Sequence, residues 1–307
     1  MHFNLGGMEM EVCKKWTVQM KNNISGGAVM PPVLDPFDSS VFYVSDGWYS
    51  YYSSIRLRRL SVETGEELSN VLTRDCVRCI HVEEDRLFAV LNKRILELDR
   101  NDLHILRTYK KGAYADYVGF DGRDKLLLMN RNGNFLNIFD LQSETVRKKK
   151  AAACFGIWRG DENTFLILDG SGVLEYEPAA NKLKRLIDTP PYIDCARGAL
   201  GQLYLLEGEG EASSRLLLYP SVLGGTPQEL PLGQPVRGFK LSSDETRAFL
   251  FQKDRVLVYS IPEKRVTAQH IFEHESSLLD GNYILNDRTI LTYQREGNEL
   301  TCWKITE

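Results

Sequence analysis

The sequence predicts an all-β fold: one seven-bladed β-propeller of four-stranded antiparallel blades, with an N-terminal strand closing the last blade. Three observations predict it. Short apolar runs recur about every 40 residues, the period of a four-stranded blade. Each is followed by a polar turn and a further strand-like run. After the last such run, Leu300 to Ile305, the seventh repeat has no fourth strand of its own, so the N-terminus must supply one.

In chain order, residues 1–9 are expected to be a loose tail, with Met8 opening the first strand-like run. Met10 to Met20 carries Val12, Trp16 and Val18 among polar residues and has no hairpin partner nearby. Pairing it beside Trp303 covers the open edge of the last blade. The second strand of each blade is a near-continuous apolar run: Val41 to Val44, Leu87 to Leu91, Lys125 to Met129, Phe165 to Leu168, Leu203 to Leu206, Ala248 to Phe251 and Thr289 to Tyr293. Such continuity suits a strand covered on both faces. Third strands follow at Ile55 to Leu60, Ile95 to Asp99, Phe135 to Leu141, Val173 to Glu177, Leu216 to Pro220, Val256 to Ile261 and Leu300 to Ile305, with an alternation that suits a position nearer the rim. Turn residues such as Asn132-Gly133-Asn134, Asp169-Gly170-Ser171-Gly172 and Glu296-Gly297-Asn298 separate the two. They supply the positive φ of tight hairpins.

The third strand Leu136-Asn137-Ile138-Phe139-Asp140-Leu141 resembles the equivalent strand of WD40 repeats, and Val256-Leu257-Val258-Tyr259-Ser260-Ile261 is a weaker copy. The chain thus resembles a divergent member of the WD40-like or YVTN-like propeller superfamily, over residues 10–307 by period and over a few residues per blade by motif. No blade has the Gly-His and Trp-Asp pairs of WD40 repeats, and kelch double glycines and regular Asp-boxes are missing too. That superfamily includes scaffolds, lactonases and other enzymes, so the resemblance implies a fold and no single activity.

Residues 1–307 are expected to form a single domain, since propellers exceed the usual length of one core. With 43% hydrophobic and 26% charged residues and a net charge of −4, the composition is that of a globular protein without the basic excess of a nucleic-acid binder. No stretch approaches the length of a membrane helix, and Met1 to Met20 has no signal-peptide pattern. The six scattered cysteines suit buried thiols in a reducing compartment. A cytoplasmic monomer is the expectation, with no cofactor, nucleic-acid or membrane partner.

Several motifs have structural readings that outweigh catalytic ones. Cys76 and Cys79 have C-x-x-C spacing, but residues three apart on a strand point to opposite faces, and no second pair exists. His270 and His274 sit on an expected outer strand, where four residues span about 13 Å, too far for one metal ion. Gly170-Ser171-Gly172 lies between two strands and lacks the full nucleophile-elbow frame. Gly208-Glu209-Gly210 is flanked by carboxylates that repel phosphate. The basic run Arg147-Lys148-Lys149-Lys150 falls on the outer strand of the third blade. Edge lysines discourage sheet-to-sheet pairing, and an acidic partner is the alternative reading.

The binding candidates lie in loops. Segment 45–54 holds Trp48, Tyr49, Tyr51 and Tyr52 among Ser and Gly, a composition of binding surfaces, although long strands packing on neighbouring blades explain it equally. Links into the blades carry Asp75, Tyr114, Asp116, Tyr192, Asp194 and Arg237, and in a propeller they emerge with the hairpins between second and third strands. Asp116 and Asp194 also suit plain turn duty, bonding backbone amides. The leading expectation is a non-catalytic protein- or peptide-binding scaffold, with no catalytic or resident metal residues. The alternative is a metal-dependent, lactonase-like hydrolase with Asp75, Asp116 and Asp194 as oxygen ligands at the channel mouth. A purely structural propeller in a larger assembly is the third possibility.

Overall fold

The computed structural model describes residues 8–21, 30–46, 55–111, 114–160, 163–252, 254–272, 283–294 and 297–306. Every regular element among them is a strand. The chain begins with β1 (Met8–Glu9) and β2 (Glu11–Gln19). Four sheets of consecutive strands follow. The first contains β3 to β6 (Val33–Leu34, Val41–Asp46, Arg56–Ser61, Glu67–Leu72) and the second β7 to β10 (Val77–Val82, Arg86–Leu91, Ile95–Asp99, Ile105–Tyr109). The third contains β11 to β14 (Tyr117–Phe120, Lys125–Met129, Phe135–Asp140, Thr145–Lys150) and the fourth β15 to β18 (Cys154–Arg159, Phe165–Asp169, Gly172–Glu177, Lys182–Asp188).

The fifth sheet contains β19 to β22 (Tyr192–Arg197, Leu203–Glu207, Ser213–Tyr219, Gln228–Val236). The sixth contains β23 to β26 (Gly238–Leu241, Arg247–Phe251, Arg255–Ser260, Arg265–Ile271), with β1 added parallel to β26. Strands β27 (Tyr283–Asn286), β28 (Thr289–Gln294) and β29 (Glu299–Thr306) form the seventh sheet together with β2, in the order β2-β29-β28-β27. This is the strand plan of a seven-bladed β-propeller, and β2 supplies the missing strand of the last blade. Met8–Glu9 pairs with Ala268 and Gln269, so the loose tail expected over residues 1–9 does not include these two; residues 1–7 lie outside the described residues.

The chain divides into two compact units. In the unit formed by 16–188 and 295–300, burial follows from the period of two along the second strands. Leu87, Ala89 and Leu91 of β8 pack with Tyr43 and Leu57 of the preceding blade, while Phe88 and Val90 pack with Leu126 and Leu128 of the following one. Leu127 and Met129 of β12 then meet Ile167 and Tyr176 of the fourth blade. The unbroken apolar runs in the sequence are therefore two interleaved stripes, one for each neighbour. Strand β9 departs from the expected third-strand alternation: Ile95, Leu96 and Leu98 are buried and so is Glu97, because its carboxylate accepts from Tyr109 Oη (2.8 Å) and Arg86 Nη1 (2.8 Å).

Trp16 belongs to this unit as well. Its indole stacks on Phe42 at 6.2 Å, and Nε1 donates to the Val62 carbonyl at 3.0 Å. Gly65 lies beneath it at φ +72, where a Cβ would come within 2.8 Å of the indole. The unit formed by 1–15, 189–294 and 301–307 has one core around Leu206, Leu230, Leu250 and Tyr259 and another in which Met10 joins Phe249, Val256, Phe272 and Ile290.

Candidate functional site

In four blades the link into the first strand lies against that blade's hairpin between second and third strands. Asn92 Nδ2 donates to Asp75 Oδ1 at 2.7 Å, Arg131 N to Asp116 Oδ2 at 2.9 Å, and Gly170 N to the Ala153 carbonyl at 2.7 Å. Gly208 N reaches the Pro191 carbonyl at 2.9 Å. Links and hairpins thus share an end of each of these four blades, hereafter the link face.

The expected site residues take different positions on that face. Asp75 is half-buried, and its Oδ1 also accepts from Cys76 N at 2.8 Å. Asp116 accepts from the Arg78 guanidinium of the preceding blade through Oδ1, and from Arg131 N through Oδ2. Arg78 is itself buried at 8% exposure, and its guanidinium lies 4.3 Å from the centre of the Tyr114 ring, which is 39% exposed. Burial and the nearby Asp116 carboxylate raise the Tyr114 phenol above its ordinary pKa. Arg131 adds a second cation and ring pair, 6.0 Å over Tyr117, with Nη2 donating to Tyr117 Oη at 3.1 Å.

In the other unit the same Tyr-x-Asp spacing gives a different result. Tyr192 and Asp194 lie within β19, not in a link before it, and the register shifts between them. Tyr192 is buried at 4% exposure, so its ring is no surface contact. Asp194 Oδ1 accepts from Cys195 N and Oδ2 from Phe239 N of the next blade, both at 2.9 Å. Gly238 is required beside it, as a Cβ there would stand 2.9 Å from Oδ2. Arg237 is exposed and faces Glu211 at 3.7 Å. Trp48, Tyr49, Tyr51 and Tyr52 lie outside the described residues, as does His274.

The described residues hold one group of three potential metal ligands within 4.8 Å of one another, Asp99, Asp102 and His104, and it includes none of Asp75, Asp116 and Asp194. Two of its carboxylates serve the turn: Asp99 Oδ1 accepts from Asn101 N and Asp102 N, and Asp102 Oδ1 from His104 N. Cys76 and Cys79 are both buried and form no disulfide, and their thiols sit above the ordinary range because burial disfavours the thiolate. Gly170 and Ser171 form the two-residue turn between β16 and β17, and Ser171 Oγ donates to Asp169 Oδ1 at 2.9 Å.

Sequence reasoning missed a concavity of about 760 Å³ in the 16–188 unit, lined by Phe135 and Lys150 of the third blade and by Asp169, Leu174, Leu183 and Arg185 of the fourth. Asp169 is buried at 1% exposure and holds Arg185 Nη2 at 3.0 Å. The available signal was a second basic stretch, Lys182-Leu183-Lys184-Arg185, one repeat after Arg147 to Lys150.

Neither a protein-family model nor a curated protein sequence matches the chain. Solved structures do. The WD40 domain of Pan2 from Neurospora crassa superposes with a TM-score of 0.68 at 8% identity, over 98% of this chain and 98% of that one. BamB from Moraxella catarrhalis gives 0.55 at 10% identity, over 97% and 98%. The likeness is one of fold. At such identity it carries over no residue role, and the propeller architecture is what it supports.

Proposed function

We propose that the chain is a non-catalytic propeller whose link face binds a protein or peptide segment. The observation that carries this reading is the cluster Arg78, Tyr114, Asp116, Arg131 and Tyr117. Two guanidinium groups are fixed against two tyrosine rings, and the Tyr114 ring stays open to solvent. Tyr and Arg concentrate binding energy at interfaces, and rings already held in place lose little entropy on association. The aromatic segment with Trp48, Tyr49, Tyr51 and Tyr52 is proposed as a further contact of the same kind. Hydrolysis at Asp75, Asp116 and Asp194 finds less support, because the one group of potential metal ligands among the described residues includes none of the three.

The test compares capture by the intact chain, a Tyr114→Ala/Arg131→Ala variant and a variant with Trp48, Tyr49, Tyr51 and Tyr52 changed to Ser, once matching thermal midpoints show all three folded. Loss of a central tyrosine or arginine anchor costs about 2 kcal/mol or more, roughly 30-fold in affinity. A partner held by the intact chain and lost from the Tyr114→Ala/Arg131→Ala variant supports the link face. A partner held equally by all three removes it, and a chain that captures nothing removes the reading altogether.

A further inference from the structure

Strands β13 and β14 pair Phe135 with Lys150 and Asn137 with Lys148, so Phe135, Lys148 and Lys150 share one face of the third sheet. In the fourth sheet Leu174 pairs with Arg185 and Tyr176 with Leu183, which puts Leu183 and Arg185 on one face of β18. Together these two faces wall the concavity of about 760 Å³. Its floor is apolar: Leu174 is buried, Leu183 half-buried, and Phe135 keeps 47% of its surface exposed. Its rim is cationic. The Lys148 ammonium lies 5.7 Å from the Phe135 ring, and among the described residues neither Lys148 nor Lys150 has a carboxylate partner. Arg185 is pinned at the fourth-blade side by Asp169, which Ser171 N and Ala152 N hold in turn.

We infer that this groove docks an acidic polypeptide segment through one apolar or aromatic anchor residue, which seats on Phe135, Leu174 and Leu183 while its carboxylates meet Lys148 and Lys150. The inference goes beyond the link-face reading and does not depend on it. Edge protection accounts for lysines on an outer strand, but it does not account for an exposed phenylalanine beside an apolar hollow. The charge on the rim selects an acidic occupant, and screening over about 8–10 Å lets this local field act within a chain whose net charge is −4. A polypeptide suits the hollow better than a nucleic acid, which needs a longer basic stripe than two unpaired lysines provide.

The probe is a short fluorescein-labelled peptide of Glu and Asp around a single Trp, followed by anisotropy against the full chain. Two control peptides carry Ser for Trp, or Lys for the acidic residues. The acidic Trp peptide should bind saturably and weaken as salt rises, and both controls should fail to saturate. Lys148→Glu/Lys150→Glu and, separately, Phe135→Ser should each weaken it about tenfold or more. These side chains are exposed, so both variants should keep the native thermal midpoint. No saturable binding by the acidic Trp peptide, or affinity unchanged in either variant, overturns the groove. Equal affinity for a single-stranded oligonucleotide, sensitive to the lysines but not to Phe135→Ser, overturns it in favour of a polyanion surface. If the groove fails while a captured partner is still lost from Tyr114→Ala/Arg131→Ala, the link-face reading stands without it. If the peptide binds a chain that captures no partner, the groove stands and the link-face reading falls.

Discussion

Replacing Trp16 tests whether the N-terminal strand is a working part of the fold. Its indole is half-buried, stacked on Phe42, and donates from Nε1 to the Val62 carbonyl. Truncating a fully buried aromatic costs about 3–5 kcal/mol, so half burial gives about 2. The carbonyl left without its donor adds about 1 kcal/mol. Trp16→Ala should therefore cost about 3 kcal/mol, a fall of roughly 5 °C in thermal midpoint for a chain of this size. Trp16→Phe keeps one ring of the stack and loses the donor with part of the ring area, so it should cost about 1–2 kcal/mol. Far-UV circular dichroism reads both without depending on tryptophan emission. Gly65→Ala supplies the cross-check, since its Cβ would stand 2.7 Å from Val18 Cγ2 and 2.8 Å from the indole. Removing the indole relieves part of that clash, so the double variant should lose less than the sum of the singles. A Trp16→Ala midpoint within about 1 °C of the intact protein, or strict additivity with Gly65→Ala, would refute the packing role.

Three further outcomes follow from named contacts. Asp35, at 1% exposure, accepts from Tyr43 Oη (2.8 Å), Arg100 Nη1 (3.1 Å) and Phe37 N (2.9 Å), so Asp35→Ala should cost about 3 kcal/mol or more in urea unfolding and Tyr43→Phe about 1. The hydroxyl of Ser242 and the amide and hydroxyl of Thr246 hold the Asp244 carboxyl down to about 2 from 3.8, so it contributes stability above the ordinary carboxylate pKa that is lost as pH falls toward 2. Midpoints measured down that window should fall less steeply for Asp244→Asn than for the intact chain. Burial pushes the Cys76 thiol up to about 11 and Cys154 to about 12, while Cys13 is exposed. Thiol labelling of the native chain near pH 8, read by mass spectrometry of peptides, should reach Cys13 well before Cys76, Cys79 and Cys154.

The fold was legible because it depends on patterns that are local in the chain. Leu87 to Leu91 is one apolar run, and its two interleaved faces need only two neighbours of the same kind. The placement of β2 was legible for a related reason: a repeat that stops at its third strand leaves an edge, and Met10 to Met20 was a strand without a partner. The binding surface was less so. Tyr114-Ala115-Asp116 and Tyr192-Ile193-Asp194 read alike, yet the first tyrosine is 39% exposed and the second 4%. Tyr192 opens β19 itself whereas Tyr114 precedes β11, and no spacing rule reveals where the strand begins. The buried Glu97 was hidden for the same kind of reason, since its partners Tyr109 and Arg86 lie on the strands to either side.

The link aspartates show why the same residues invite both a structural and a catalytic reading. A carboxylate that emerges where a link meets a hairpin has amides around it from two directions, and bonding to them stabilises the blade at once. Asp116 and Asp194 do this and also reach a neighbouring blade, through Arg78 in one case and Phe239 N in the other. Each oxygen keeps a lone pair, but swinging either carboxylate onto another ligand would disturb a bond that reaches the neighbouring blade. Among the described residues, groups that the scaffold leaves open include the Tyr114 ring and, in the groove, the Phe135 ring with Lys148 and Lys150. Fixed aromatic rings and ammonium groups without a carboxylate partner are the means by which a surface engages an acidic or aromatic segment of another chain. That distribution of used and unused side chains is what supports the proposed binding surface.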